Sequence, residues 1–295
     1  MMSVVVIGQI GRDLVLRTDG PPTPGDSTAI LRRSELLGGK GANQAVGLAQ
    51  LGVPVALIGV VGDDHAGTSV LRQAQRDGIG VGGVLRRGTT ALLIDIVGRP
   101  PERLLLEDVP DSSLVCVADL DRAAASWDGA DTVSIQLQQP PATALEAAQR
   151  GRGRGLRVVA DGAPAPQIRA DLLASVDVIR ADATEASLIA GRDITTVQEA
   201  FALADHLLNC GPELVALAVP GVGDLLAWEG GGELFEFADV EVVDPTGAGD
   251  AFVAGLICAL REGASPSQAG RRASAAASST VQRLGGRPDL RGLTT

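Results

Sequence analysis

One stretch near the C-terminal end of this 295-residue chain restricts the fold more than any other. It reads Val242-Val243-Asp244-Pro245-Thr246-Gly247-Ala248-Gly249-Asp250-Ala251-Phe252-Val253-Ala254-Gly255. A β-branched run at Val240, Val242 and Val243 reads as the end of a strand, and the apolar, proline-free segment Ala251 to Arg261 as a buried helix. Gly247, Ala248 and Gly249 let the backbone turn sharply between them with little side-chain bulk. A turn of small residues opening a helix points unpaired N–H groups and the positive end of the helix dipole at one spot, which is an anion site. Asp250 stands at that helix start, and two readings of it remain open. It is a first-turn carboxylate that offsets the dipole, or a base beside a phosphate that takes a proton from an attacking hydroxyl.

The rest of the chain alternates. Val4 to Ile7, closed by Gly8, is a β-branched run with the pattern of a strand covered on both faces. Val55 to Val61 repeats that pattern, and further strand candidates fall at 131–137, 156–160, 175–180 and 214–219. Helical patterns cover 45–51, 67–76, 141–150, 184–190, 196–209, 251–262 and 266–283. Strands alternating with helices predict one α/β domain over 1–295, a mostly parallel sheet with helices on both faces. Segments 9–37 and 84–107 fit that core poorly. Pro21, Pro22, Pro24 and Gly25 mark a turn in the first, and Gly98, Pro100 and Pro101 separate Leu92–Val97 from Arg103–Leu106 in the second. Both segments are expected to form a small antiparallel sheet, a lid over the sites.

Composition narrows the partners. A net charge of −11 argues against nucleic acid, which usually meets a basic face. Aromatic residues make up 2% of the chain, with no Tyr, too few to build stacking platforms. The run Arg150 to Arg154, followed by Arg157, reads as a solvated turn between helix and strand. Cys116, Cys210 and Cys258 are far apart and there are only two histidines, so a zinc site is not expected. No secretory leader precedes the first strand and no apolar run reaches the roughly 20 residues of a membrane span, so a cytoplasmic protein is expected.

A second glycine-rich stretch, Gly38-Gly39-Lys40-Gly41-Ala42-Asn43-Gln44-Ala45, also leads into a helix, where the backbone approaches something closely. It is not a P-loop, since Gly41 follows Lys40 where Ser or Thr is needed. Lys40 is the chain's only lysine, which hints that a point charge is required there. Gly78 to Gly83 matches G-x-G-x-x-G by letter but follows a helix, the wrong context for a dinucleotide site. Asp182-Ala183-Thr184-Glu185 is a good N-cap with its reciprocal glutamate, and equally a pair of acidic groups able to hold hydrated Mg2+. Asp63-Asp64 reads as an ordinary helix start, and Asp13 is placed to face the crevice of the glycine loops.

The stretches at 38–45 and 244–252 together resemble the two signatures of the ribokinase-like (PfkB) carbohydrate kinases, in the same order and spacing. The resemblance runs from Val4 to Gly286. It implies a Rossmann-like three-layer α/β/α sandwich with a β-sheet lid that in many relatives forms a homodimer contact. It also implies transfer of the ATP γ-phosphate to a sugar hydroxymethyl group. Residue by residue, Asp250 matches the catalytic base, and Gly247, Ala248 and Gly249 the anion hole. Asp13, Gly39, Lys40, Asn43 and Gln138 fall around the sugar. Asp182, Gly221, Gly223, Thr246, Gly249 and Ser274 fall along the nucleotide. Glu185 falls near Mg2+, and Asp244, Thr246, Arg283 and Gly285 match a monovalent-cation (K+) site. Gly11 and Gln138 replace an asparagine and a glutamate that ribokinases offer to the sugar, which counts against ribose itself. Asp182 replaces the asparagine of N-x-x-E, and Ala218 to Gly223, with Pro220, replaces a more polar nucleotide loop. Two other functions stand beside the sugar kinase: a nucleoside kinase of the same family, and a catalytically weak binding or regulatory protein.

Overall fold

The computed structural model describes residues 2–20, 22, 24–98 and 103–293. Pro21, Pro100 and Pro101, expected in turns, lie outside the described residues. The N-terminal half runs β1 (Ser3–Ile7), β2 (Gly11–Arg17), β3 (Arg32–Gly38), α1 (Lys40–Gln50), β4 (Val55–Val61), α2 (His65–Arg76), β5 (Gly80–Arg86), β6 (Ala91–Val97) and β7 (Arg103–Asp108). It continues through α3 (Val117–Arg122), β8 (Ala130–Gln136), α4 (Pro141–Gly153), β9 (Arg157–Asp161), α5 (Arg169–Leu173), β10 (Val178–Ala181) and α6 (Ala183–Ala190). The C-terminal part is α7 (Val197–Leu208), β11 (Leu214–Val219), β12 (Gly223–Trp228), β13 (Gly231–Glu236), α8 (Ala248–Arg261) and α9 (Pro266–Thr280).

The β-branched run of β1 lies near the middle of a nine-stranded sheet of order β13-β12-β11-β10-β9-β8-β1-β4-β5. Successive side chains point to opposite faces. Val4 and Val6 therefore enter one core with α1, α2, α8 and α9, while Val5 and Ile7 enter a second with α3, α4 and α5. A third core lies under α6 and α7. Burial on both faces is why the parallel strands read as continuous apolar runs rather than alternating ones. The antiparallel hairpin of β12 and β13 extends the sheet past β11.

The small sheet has the order β3-β2-β6-β7. Its outer pairs are antiparallel and its central pair, β2 with β6, is parallel. Gly38, Gly11, Ala91 and Asp108 lie along one end, where all four strands join the large domain; Arg32, Arg17, Val97 and Arg103 form the far end. Alternation in β2 and β6 buries Asp13 and Asp95 on the same face.

Three expectations need correction. Residues 84–86 are not lid, because β5 pairs in parallel with β4 as an edge of the large sheet. The glycines of Gly78–Gly83 mislead here. A Cβ on Gly83 would stand 2.6 Å from Ser126 Oγ, so a small residue is a packing requirement of that strand. Val240 to Val243 form no strand; Val243 and Asp244 donate their amides to the Val281 carbonyl beyond α9, and Val242 is 44% exposed. Helix α1 begins at Lys40 rather than Ala45, since Gly39 caps it with φ 87° and the Ala42 amide docks on the Gln9 carbonyl at 3.2 Å.

Candidate active site

A cavity of about 630 Å3 opens between the small sheet and the carboxyl ends of the large sheet's strands. Ligands in open α/β sheets bind at that end. Two helix starts meet there, those of α1 and α8. Gly247 caps α8 with φ 76°, and a Cβ on it would lie 2.0 Å from the Gly286 carbonyl oxygen. Only glycine fits both the left-handed backbone and that contact. The Ala248 amide makes a long bond of 3.4 Å to the Pro245 carbonyl. Among the described residues, the amides of Gly249 and Asp250 donate to no protein acceptor. The turn thus has donors to spare and the geometry that suits an anion.

Asp250 belongs to the first turn of α8 and is 6% exposed. It does not cap the helix with its side chain. Its carboxylate turns toward α1, accepting from Asn43 Nδ2 at 3.1 Å and Gln44 Nε2 at 3.3 Å. Burial, and then the charge of Asp161, push its pKa up to about 7 despite the opposing pull of Lys40. A carboxylate with that proton affinity is suited to general-base work near neutral pH. Asp13 rises to about 7 as well, through burial and then repulsion from Asp95 and Asp250. Among the described residues its Oδ1 is buried without a hydrogen-bond partner, and so is Asn43 Oδ1. Both residues line the cavity and offer acceptors to hydroxyl groups.

Lys40 reaches across to Glu185, Nζ to Oε1 at 2.9 Å. The other Glu185 oxygen accepts the Asp182 amide, while Asp182 Oδ1 accepts the Glu185 amide, a complete capping box at the start of α6. The capping reading of that pair holds, and of its two members Asp182 stands on the cavity wall. Asp244 is fully buried and clips two loops together. Its Oδ1 accepts the Thr246 amide and hydroxyl at 2.9 and 2.6 Å, and its Oδ2 accepts the Gly285 amide at 2.9 Å. Arg283 pairs instead with Asp289, its side chain 67% exposed.

Gly39, Gln138, Thr246, Ala248 and Ser274 also line the cavity. Gly221 and Gly223 do not. Gly221 turns the β11–β12 hairpin at φ 70°, and Gly223 is packed against the Phe235 carbonyl, so Ala218 and Asp224 form that wall instead. Several residues on the cavity wall or directly behind it carry no signature at sequence level. Asp161 accepts from Gln44 at 2.9 Å and from Arg180 at 3.1 Å. Asp95 holds Arg103 at 2.6 Å on the lid side, with burial raising its pKa against the pull of that cation. The alternation of Leu92 to Val97 could have flagged Asp95, the one charge on an otherwise apolar inward face. Among the described residues, no group of three or more His, Cys, Asp or Glu gathers as a metal site, and no helix is long and apolar enough to cross a membrane.

The chain matches the pfkB family carbohydrate kinase model over residues 1–291. The ribokinase of Haemophilus influenzae is 28% identical over 291 residues, covering 98% of this chain and 95% of its own. That of Bacillus subtilis is 29% identical over 296 residues, covering 97% and 94%. The structure of Arabidopsis thaliana ribokinase complexed with ribose and ATP matches with a TM-score of 0.81 at 25% identity, over 98% of this chain and 96% of that one.

Proposed function

The chain belongs to the pfkB family of carbohydrate kinases and is a sugar kinase, and on that premise we propose that its acceptor is a neutral, hydroxyl-rich sugar phosphorylated on a hydroxymethyl group. The observation that carries this reading is the meeting of Asp250 with the unpartnered amides of its own helix turn, beside the unpaired acceptors of Asp13 and Asn43. Asp250 takes the proton of the acceptor hydroxyl as the phosphoryl group moves. The amides of 248–250 hold that group where charge builds up, preorganised because the helix already orients them. Asp13, Asn43 and Gln138 orient the sugar, and the Asp95–Arg103 pair faces it from the lid.

Charge around the acceptor argues for a neutral substrate. Asp13, Asp95, Glu107 and Asp250 face that end, against Arg103, while Lys40 is engaged by Glu185. A sugar already phosphorylated would meet more repulsion than attraction there. The two aromatic residues on the wall of the cavity among the described residues, Phe237 and Phe252, belong to none of the four lid strands, which weighs against a nucleoside acceptor with a base to stack.

Mg2+ fits this chain as an ion arriving with ATP. Glu185 has both oxygens occupied, whereas among the described residues Asp182 Oδ2 accepts no protein hydrogen bond at the cavity wall, suited to a hydrated ion held mainly by phosphates. Bound there, it would neutralise the phosphate oxygens. The Asp244 clip and the Gly285 turn would carry a monovalent cation through main-chain carbonyls. Leu104 and Leu106, 48% and 49% exposed on β7, support pairing of two copies through the lid.

The test is ATP turnover across pentoses, hexoses, nucleosides and sugar phosphates. Turnover with a neutral sugar supports the reading. Preference for a sugar phosphate or a nucleoside would overturn the substrate, and no turnover with any acceptor would favour a binding protein.

A further inference from the structure

We propose that Arg180 is a side-chain arm of the phosphoryl site, its guanidinium binding the transferring phosphate beside the amides of 248–250. The inference rests on the kinase reading above for the identity of that phosphate, but the anion contact can be measured without it.

Arg180 stands at the carboxyl end of β10, 7% exposed, and lines the cavity. Its head lies flat against the anion turn. A Cβ on Gly249 would fall 2.6 Å from Nη2, 2.7 Å from Nη1 and 2.9 Å from Cζ. Among the described residues its side chain makes one hydrogen bond, Nη1 to Asp161 Oδ1 at 3.1 Å, so the remaining donors of the fork have no protein acceptor. Burial works against the charge, but Asp161, and then Glu185 and Asp224, keep the group firmly protonated.

A cation at the start of a helix is in the wrong place for the dipole, which repels it. An anion bound between guanidinium and amides reverses the sign of that interaction, and a planar fork with free donors is the geometry that phosphate oxygens take. The bland alternative is a strut between β9 and β10. Those strands are already joined by their own ladder, from Val178 with Val159 to Arg180 with Asp161, which leaves the strut little to add. Asp161 then acts as a positioning residue for both ends of the reaction. It fixes Arg180 on one side and, through Gln44, the Asp250 carboxylate on the other.

Calorimetric titration of ATP and AMP, without metal, into the wild type and Arg180→Gln separates the roles. The wild type is expected to prefer ATP, and the variant to lose roughly tenfold or more of ATP affinity while AMP binding stays within about twofold, as for loss of a charge-assisted bidentate contact. The double variant Asp161→Asn, Arg180→Gln leaves no unpaired buried charge and should show the same selective loss, which protects the test from misfolding of the single variant. Equal losses for ATP and AMP, or none, would overturn the inference. With a sugar that the wild type phosphorylates, kcat should fall by roughly 10³ and the sugar KM stay put, as for other arginines at a transferring phosphoryl group. A selective ATP loss in a protein that phosphorylates nothing would leave the arm standing and remove the kinase reading. Unchanged kcat and ATP affinity in an active kinase would remove the arm alone.

Discussion

Asp250→Asn removes the proposed base while keeping the side chain's shape, and its consequences for activity and for stability point in opposite directions. The carboxylate accepts from Asn43 and Gln44 at 3.1 and 3.3 Å. An amide has one acceptor to offer, so the variant keeps the shorter bond and gives up the longer. Gln44 Nε2 retains its 2.9 Å bond to Asp161. That loss costs about 1 kcal/mol. Against it stands the raised proton affinity of Asp250, from the ordinary 3.8 to about 7. Between those pH values the folded protein binds a proton that the unfolded chain does not, so stability falls as pH rises through the window. Above pH 7 the burden of the buried charge reaches a few kcal/mol, at roughly 1.4 kcal/mol for each pH unit of difference. Asparagine carries no such burden. Urea unfolding should therefore find the variant at least as stable as the wild type at pH 8, with the advantage gone at pH 5. ADP release in the presence of the sugar should fall by roughly 10² to 10⁴. Turnover within about tenfold of the wild type, or a variant destabilised at pH 8 by more than about 2 kcal/mol, would refute the reasoning.

Gly247→Ala forces a Cβ to within 2.0 Å of the Gly286 carbonyl at φ 76°, and should lower thermal stability by about 1–3 kcal/mol while abolishing turnover. Wild-type kcat/KM should decline as pH drops below about 7, following protonation of Asp250 and Asp13, and a profile flat from pH 5 to 8 would contradict their shared role. Arg103→Ala strips Asp95 of its partner and should raise the sugar KM roughly tenfold with little change in the ATP KM, read from initial rates. Charges at the lid's outer face, Leu104→Asp with Leu106→Asp, should turn a dimer into a monomer by light scattering.

What could be read without coordinates is what depends on neighbours in the chain. The capping box of Asp182 and Glu185 needs only residues three apart, and the turn before α8 is written in Gly247 to Gly249. The β-branched runs of β1, β4 and β11 announce burial on both faces. What escaped depends on long-range contact. The chain from Gln44 through Asp161 to Arg180 joins a helix to two strands far away in sequence, and although Gln44 lies in the glycine-rich stretch, no local pattern marks Asp161 or Arg180 as part of a site. Val240 to Val243 have the composition of a strand, but tertiary bonds to the end of α9 override it. Lys40 stands out as a lone lysine, yet the pattern around its partner Glu185 points only to a cap or a ligand neighbour.

The small sheet meets the large domain along a single row, Gly38, Gly11, Ala91 and Asp108, and Arg103 lies at the opposite end. Any swing about that row works as a lever. At roughly 3.3 Å per residue along a strand, Asp13 sits about 7 Å from the axis and the Arg17 end about 20 Å. The tip thus travels about three times as far as Asp13 for the same rotation. A molecule held against Asp13 would shift least while the far end, at Arg103, opens most. The Asp95–Arg103 pair, with both members on the small sheet, would ride with that swing instead of restraining it.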